Sequence, residues 1–382
     1  MIYLDNASTS YPKPPIVRQR ILETLETASA NPGRSSHKLA RTTQKLLDDT
    51  RYKLAKLVGA KNPDHVIFTF NTTDAINLAL KGLLKAHDHV ITSRLEHNSV
   101  LRPLRRLEKN GLISLTLVNF DSDGFVDTAE IERSIRPETR LIALTAASNV
   151  FGTIQPLKKV AEIAHSKKIL FFVDAAQMLG AAAFSLSEIP VDILACGGHK
   201  ALLGPTGTGF LYVNETVSLS CWREGGTGGD SLSELQPEKM PIHLEAGTPN
   251  TVGIAGLNAA LDYLFEFGIK NIRQHEQVLT AKLLEKLSKN RRVKLYGTSD
   301  LDWRLGVVSF LIQGYQSDEV ASILDESFDI AVRSGLHCAP LVHKALGTDK
   351  EGLVRVSLGP FTTAEDIDIL VEAVKEISLS SF

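Results

Sequence analysis

The sequence predicts an α/β fold built on a mostly parallel, seven-stranded sheet, with a smaller α+β unit at the C-terminal end. Two observations carry this. From about residue 65 onward, short β-rich runs alternate with stretches of helical apolar spacing, the pattern of βαβ units covered on both faces. The last third then changes character, with strands and helices in a less regular order. A chain of 382 residues, 43% hydrophobic and 23% charged, is long enough for one large domain and a smaller one.

In chain order, residues 2–4 (Ile-Tyr-Leu) are strand-like. Residues 36–58 read as a long helix, because Leu39, Leu46, Leu47, Leu54 and Leu57 keep helical spacing, and Ser35 or Ser36 is placed to cap its start. The large sheet is expected from 65–71, 89–93, 113–120, 141–148, 169–176, 191–196 and 209–213. Between several of these lie amphipathic stretches at 73–86, 100–110 and 157–166. After Gly253 comes a long helical region with Leu257, Leu261, Leu264 and Phe265 on one side. Residues 307–312, 330–333 and 353–358 then read as strands, and 317–326 and 363–377 as helices. Thr362 and Glu365 have capping-box spacing. The expected division is a large domain over 15–255 and a small one made of 1–14 and 256–382.

Lys+Arg 42 against Asp+Glu 44 gives a formal net charge of -2, so there is no electrostatic reason to expect nucleic-acid binding. No apolar run approaches the ~20 residues needed to span a bilayer, and the N-terminus has no secretion-signal pattern. Cys196, Cys221 and Cys338 lie far apart and are odd in number, which is not a disulfide framework. A reducing, cytoplasmic setting is expected.

Chemistry should sit on loops just past the carboxyl ends of strands. Phe171-Phe172-Val173-Asp174 is an apolar strand ending in a carboxylate. This suits a cofactor with a protonated ring nitrogen, and equally a cap on the next helix. Cys196-Gly197-Gly198-His199-Lys200 puts a lysine after a buried strand. Desolvation there would make the amine neutral and able to form a Schiff base; a solvated loop lysine is the plainer alternative. Asn71-Thr72-Thr73-Asp74-Ala75 follows a strand and opens a helix, a place for an anion or simply a Thr cap, and Asp74 would compete with a phosphate. His97 follows another strand and could stack on a flat ring or lie on the surface. The glycines of 204–209 have the wrong spacing for G-x-G-x-x-G and lead into a strand, which disfavours a nicotinamide site. All four candidates fall at strand ends, in the order a single pocket requires.

With further motifs, these residues resemble the class V aminotransferase family of fold-type I pyridoxal 5'-phosphate (PLP) enzymes, most of all its cysteine desulfurases and selenocysteine lyases. The motifs include Tyr3-Leu4-Asp5-Asn6-Ala7, Asn31-Pro32-Gly33-Arg34-Ser35-Ser36-His37, Glu96-His97-Asn98-Ser99 and Ser148-Asn149-Val150-Phe151-Gly152-Thr153. They continue with Asp174-Ala175-Ala176-Gln177, Glu245-Ala246-Gly247-Thr248-Pro249-Asn250, Arg333-Ser334-Gly335-Leu336-His337-Cys338 and Arg355-Val356-Ser357-Leu358. The resemblance implies that Lys200 carries PLP as a Schiff base and shuttles protons. It implies that Asp174 pairs with the pyridine nitrogen, His97 stacks on the ring, and Gln177 and Asn149 contact its hydroxyl side. Thr72, Thr73 and His199 would hold the phosphate, with Thr248 reaching in from the second subunit of a homodimer. Arg355 would bind the substrate carboxylate and Asn31 would line the substrate pocket. One departure stands out: Gly197 replaces the Ser or Thr often found two residues before His199, so one phosphate contact is expected to be missing.

In such desulfurases a Cys at position 338 takes the sulfur of L-cysteine as a persulfide and alanine is released. Cationic neighbours raise the thiolate fraction, and Arg333 and His337 are candidates. A buried structural Cys is the alternative, as expected for Cys196 and Cys221. A metal site from His337, Cys338 and His343 lacks a fourth ligand, so none is expected. The stretch 333–338 has no long insertion, which resembles the subgroup in which a sulfur-acceptor protein comes to a less mobile Cys. The rival functions are selenocysteine lyase, another lyase, epimerase or aminotransferase of the class with Cys338 incidental, and a non-catalytic binding protein on the same fold.

Overall fold

The computed structural model describes residues 1–28, 30–33, 37–228 and 232–379. The chain begins with β1 (Ile2–Tyr3), α1 (Pro15–Thr27) and α2 (Lys38–Val58). It continues through β2 (Val66–Thr69), α3 (Thr72–Leu83), β3 (Asp88–Ser93), α4 (Asn98–Lys109), β4 (Ile113–Val118), α5 (Thr128–Arg133), β5 (Thr139–Thr145), α6 (Leu157–Ser166), β6 (Leu170–Asp174), β7 (Ile193–Gly197) and β8 (Gly209–Val213). Then follow α7 (Thr251–Phe267), α8 (Ile269–Ser288), β9 (Val293–Tyr296), β10 (Val307–Ile312), α9 (Ser317–Phe328), β11 (Ile330–Ala331), α10 (Pro340–Leu346), β12 (Val354–Ser357) and α11 (Ala364–Leu379).

The large sheet has seven strands in the order β2-β8-β7-β6-β5-β3-β4. Strands β3 to β7 pair in parallel, and β8 runs antiparallel to both β7 and β2. The strands read as continuous apolar runs because both faces are covered. Phe171 and Val173 of β6 belong to one core with Leu54 of α2, Val160 of α6 and Leu261 of α7, whereas Phe172 belongs to the other with Ile76 and Leu80 of α3. The small unit is a three-stranded antiparallel sheet, β12-β10-β9, covered by α8, α9 and α11. The N-terminal residues complete it, since β1 pairs in parallel with β11. Among the described residues no single helix is long and apolar enough to cross a membrane.

The departures from the sequence reading have local causes. Helix α2 is capped by His37, whose side chain accepts from the Ala40 N–H; the serines expected to cap it, Ser35 and Ser36, lie outside the described residues. The helical region after residue 253 is two helices bent by 76° at Gly268, whose φ of +89° suits glycine. The domain boundary expected at 255/256 therefore cuts α7. Leu257, Ala260, Leu261 and Leu264 of that helix pack in the large core, while Leu279 and Leu283 of α8 pack in the small one. The C-terminal capping box is Thr363 with Asp366, one position after the pair expected; Thr362 Oγ1 accepts from the Gly359 N–H instead.

Candidate active site

A cavity of about 190 Å³ opens at the carboxyl ends of the parallel strands. Thr72, Thr73, His97, Asn149, Asp174, Gln177, His199, Lys200 and Arg355 all line it. Each is delivered by the turn after a strand or by β12. Asn71, rather than a threonine, caps α3, its Oδ1 accepting from the Asp74 N–H at 2.9 Å. Neither threonine hydroxyl is spent on the cap, and both residues line the cavity. Asp74 is turned back onto the Phe70 N–H at 3.1 Å, which directs its carboxylate into the loop and removes the expected objection to an anion at this helix end.

Thr73 Oγ1 lies 2.7 Å from Ser99 Oγ, which in turn lies 2.9 Å from His97 Nδ1. The Ser99 N–H also donates to that nitrogen, so the ring proton belongs on Nε2. Burial, reinforced by Lys200 and Arg333, holds His97 down to about 4, and it is neutral at pH 7. His97 is thus a helix cap facing a pocket, not a surface-loop residue. Ser99 was part of a recognised motif but carried no role in the sequence reading.

Asp174 ends β6 and is buried; one carboxylate oxygen accepts from the Ala176 N–H at 3.0 Å. No helix follows β6, so the helix-cap alternative does not hold; Asp174 caps a turn, and that uses only one of its oxygens. Burial raises the Asp174 pKa and lowers that of Lys200, and each opposes the other's shift by its charge. His199 is held down to about 4 by burial and by the Lys200 and Lys13 cations, and its Nδ1 has no partner. A Cβ on Gly197 would lie 2.8 Å from Thr72 Oγ1. The space a Ser or Thr would fill there is taken by the Thr72 hydroxyl.

Arg355 is 1% exposed. Its Nη2 donates to Asp5 Oδ1 at 2.8 Å and Ser8 Oγ at 2.9 Å, its Nη1 donates to the Asn149 carbonyl at 3.1 Å, and its Nε is unpartnered. Arg333 lines the same cavity and donates to Ser8 Oγ at 3.1 Å and to Cys338 Sγ at 3.4 Å. Cys338 itself is half-buried, and Arg333 is its link to the cavity. His337 and Cys338 have φ of +51° and +58°, an uncommon backbone for residues with side chains. Two hydrogen bonds hold them there: Asn149 Nδ2 to the His337 carbonyl at 2.7 Å, and the Asn98 N–H to the Cys338 carbonyl at 2.8 Å. His337 corrects an expectation. Burial above all, with Arg355 adding, holds its pKa well below the usual imidazole value, so Arg333 is the cation at the thiol. Cys196 packs in the core as expected, and Cys221, partly buried, packs against the second core and donates to Glu224 at 3.4 Å.

Asn31 and Thr248 are not brought to this cavity. They line a second one, of about 410 Å³, together with Thr69, Phe70, Arg223 and Glu245. Among the described residues no group of three His, Cys, Asp or Glu side chains is arranged to hold a metal ion.

Known proteins are similar to this chain over nearly its whole length. A probable cysteine desulfurase of Methanothermobacter thermautotrophicus is 37% identical over 99% of this chain and 94% of its own length, and one of Synechocystis is 32% identical over 98% and 90%. The apo structure of a cysteine desulfurase from Thermococcus onnurineus superposes with a TM-score of 0.93 at 33% identity, covering 99% of this chain and 94% of that one. A cysteine desulfurase structure from Escherichia coli gives 0.89 at 28% identity, covering 98% and 94%. The family model for class-V aminotransferases matches residues 2–370, and with relatives this similar along their full length the chain belongs to that family.

Proposed function

We propose that the protein is a PLP-dependent cysteine desulfurase that converts L-cysteine to L-alanine and leaves the sulfur as a persulfide on Cys338. The observation that carries this reading is the thiol of Cys338 within 3.4 Å of Arg333, a guanidinium that lines the Lys200 cavity. A nucleophilic sulfur linked in this way to such a pocket has a specific use in this reaction and none in transamination or epimerisation.

The residues present fit the cofactor on three counts. The helix N-terminus of α3 and the Thr72 and Thr73 hydroxyls, with half-buried His199 beside them, line the place where a phosphate would lie. The buried Asp174 carboxylate has an oxygen left for a protonated ring nitrogen. Lys200 has the lowered pKa that a Schiff-base lysine requires. When bound, PLP supplies the electron sink that lets bonds at the substrate's α and β carbons break.

The protein's own groups do the rest. Lys200 moves the α-proton and returns one to carbon. Arg355, kept in place by Asp5 and Ser8, and Arg333 offer the substrate carboxylate a cationic seat. The sulfur of Cys338 attacks the sulfur of the substrate, the substrate's carbon–sulfur bond breaks, and its β carbon gains a proton. The carbon is thereby reduced, and the two joined sulfurs carry the matching oxidation. Because the backbone of Cys338 is tied down by the Asn98 N–H, an acceptor thiol has to come to it. The three free thiols suit a reducing cytoplasmic compartment.

The decisive experiment assays L-cysteine turnover, scoring alanine and sulfide with and without an acceptor thiol, on wild type and Cys338→Ala in parallel. The variant should keep a yellow, borohydride-reducible chromophore and lose at least about a hundredfold in turnover. Undiminished alanine production by Cys338→Ala would remove the desulfurase reading. Selenocysteine lyase is the second reading, since the same seat accepts the selenium analogue; L-selenocysteine turnover that survives in Cys338→Ala would favour it.

A further inference from the structure

The peptide carbonyl of His199 leads directly into Lys200, and the N-terminal segment grips it from outside the sheet. Lys13 Nζ donates to it at 2.8 Å and the Ser10 N–H at 3.0 Å, while the Thr9 and Ser10 hydroxyls approach at 3.1 and 3.2 Å. Ser10 Oγ also accepts from Lys13 Nζ at 2.7 Å, so the ammonium is steadied between a hydroxyl and the carbonyl. A carbonyl oxygen has two lone pairs, and the charged donor and the amide use them best.

Lys13 is an unusual choice for a staple. It is partly buried, and burial alone pulls its pKa down to about 8, with no carboxylate among the described residues to offset the cost. A serine or asparagine would satisfy the carbonyl without burying a charge. The cation is instead placed one peptide from the amine, and the segment that carries it is fixed to the small unit through Tyr3 of β1 and through Ala7, whose N–H donates to Ser357 Oγ.

We propose that Lys13 is a positioning residue for Lys200: its ammonium, with Ser10, locks the His199–Lys200 peptide so that the amine faces the cavity. The inference rests on Lys200 being the cofactor-bearing lysine. It assigns Lys13 to the covalent capture of the cofactor and not to the phosphate cradle, which is built by other residues.

The test separates the two. Purified protein is stripped of cofactor and mixed either with PLP or with pyridoxamine phosphate, whose amine replaces the aldehyde and cannot condense with a lysine. Lys13→Met should slow chromophore formation by about tenfold or more, keep pyridoxamine phosphate affinity within about twofold of wild type, and Lys13→Arg should recover most of the rate. Should Lys13→Met not survive stripping, Ser10→Ala is read in the same way, with a slowing of about threefold. Equal capture rates in variant and wild type overturn the proposal. So does a parallel loss of affinity for both ligands, which would make Lys13 a general prop. Wild type that captures no PLP at all sinks the reading of Lys200 itself.

Discussion

Glu96 sits between the end of β3 and His97 and is 1% exposed. Its Oε1 accepts from Ser93 Oγ at 2.7 Å and from the Thr145 N–H at 3.1 Å, and its Oε2 has no partner. Burial pushes its pKa up to about 8, with the charge of Asp174 adding and the two hydrogen bonds opposing. The folded-state pKa lies above the unfolded one, so this carboxyl's contribution to stability is complete below the ordinary Glu value of about 4.5 and is lost as pH rises through about 8. Glu96→Gln keeps a carbonyl oxygen for both donors and cannot ionise. Its melting temperature should therefore fall less than that of wild type between pH 5 and pH 8, in scanning calorimetry at matched ionic strength. Parallel profiles would mean that Glu96 is already ionised in the fold. The motif containing Glu96 and His97 was legible in the sequence, as were Lys200, Asp174 and Cys338, because each stands in a short local signature. Asp5 stood in a motif but carried no role there, and Ser8 and Lys13 had no such signature. Their partners Arg355 and His199 lie 350 and 186 positions away, and no periodicity encodes such a contact.

Most strands and helices were legible for the same reason that they form. Continuous apolar runs mark strands buried on both faces, and helical spacing marks the layers above and below. Elements without a signal were the short helices α5 and α10, helix α1, which opens on Pro15 behind Pro12 and Pro14, and β9, an edge strand whose Lys294 and half-buried neighbours break the apolar run. Positions where two elements meet were the least legible, and Gly197 is the clearest case. From the sequence, the missing side chain looked like a lost phosphate contact. In the fold, the end of β7 and the start of α3 approach so closely that a Cβ at 197 would meet Thr72 Oγ1 at 2.8 Å. Gly197→Ser should therefore weaken PLP retention by about tenfold even though it adds a hydroxyl, because it displaces the one already there. Thr72→Ala in the same background should recover most of that loss. Equilibrium dialysis of PLP against wild type and the two variants measures both effects; tighter binding by Gly197→Ser alone would show that the two hydroxyls coexist.

At the scale of the whole molecule, Thr248 and Asn31 lie together in the second cavity, beside the half-exposed ring of Phe70 and away from Lys200. Within one chain neither lines the Lys200 pocket. On the proposed reading this is the geometry of a two-fold homodimer, in which each chain supplies Thr248 to its neighbour's phosphate site. Mixed dimers discriminate. A dimer of one Lys200→Ala chain and one Thr248→Ala chain has, if Thr248 acts across the interface, one site with both defects and one with none. If Thr248 acts within its own chain, each site carries one defect and none is intact. Co-expression with two different tags isolates the mixed dimer. Trans action predicts PLP bound with wild-type affinity at half of the sites and about half of wild-type turnover, since the doubly defective site contributes nothing. Cis action predicts a single class of capturing sites with the weakened affinity of the Thr248→Ala homodimer. A protein that elutes as a monomer in light scattering while still holding PLP would leave Thr248 without a site to complete, and the two-fold arrangement would fall with it.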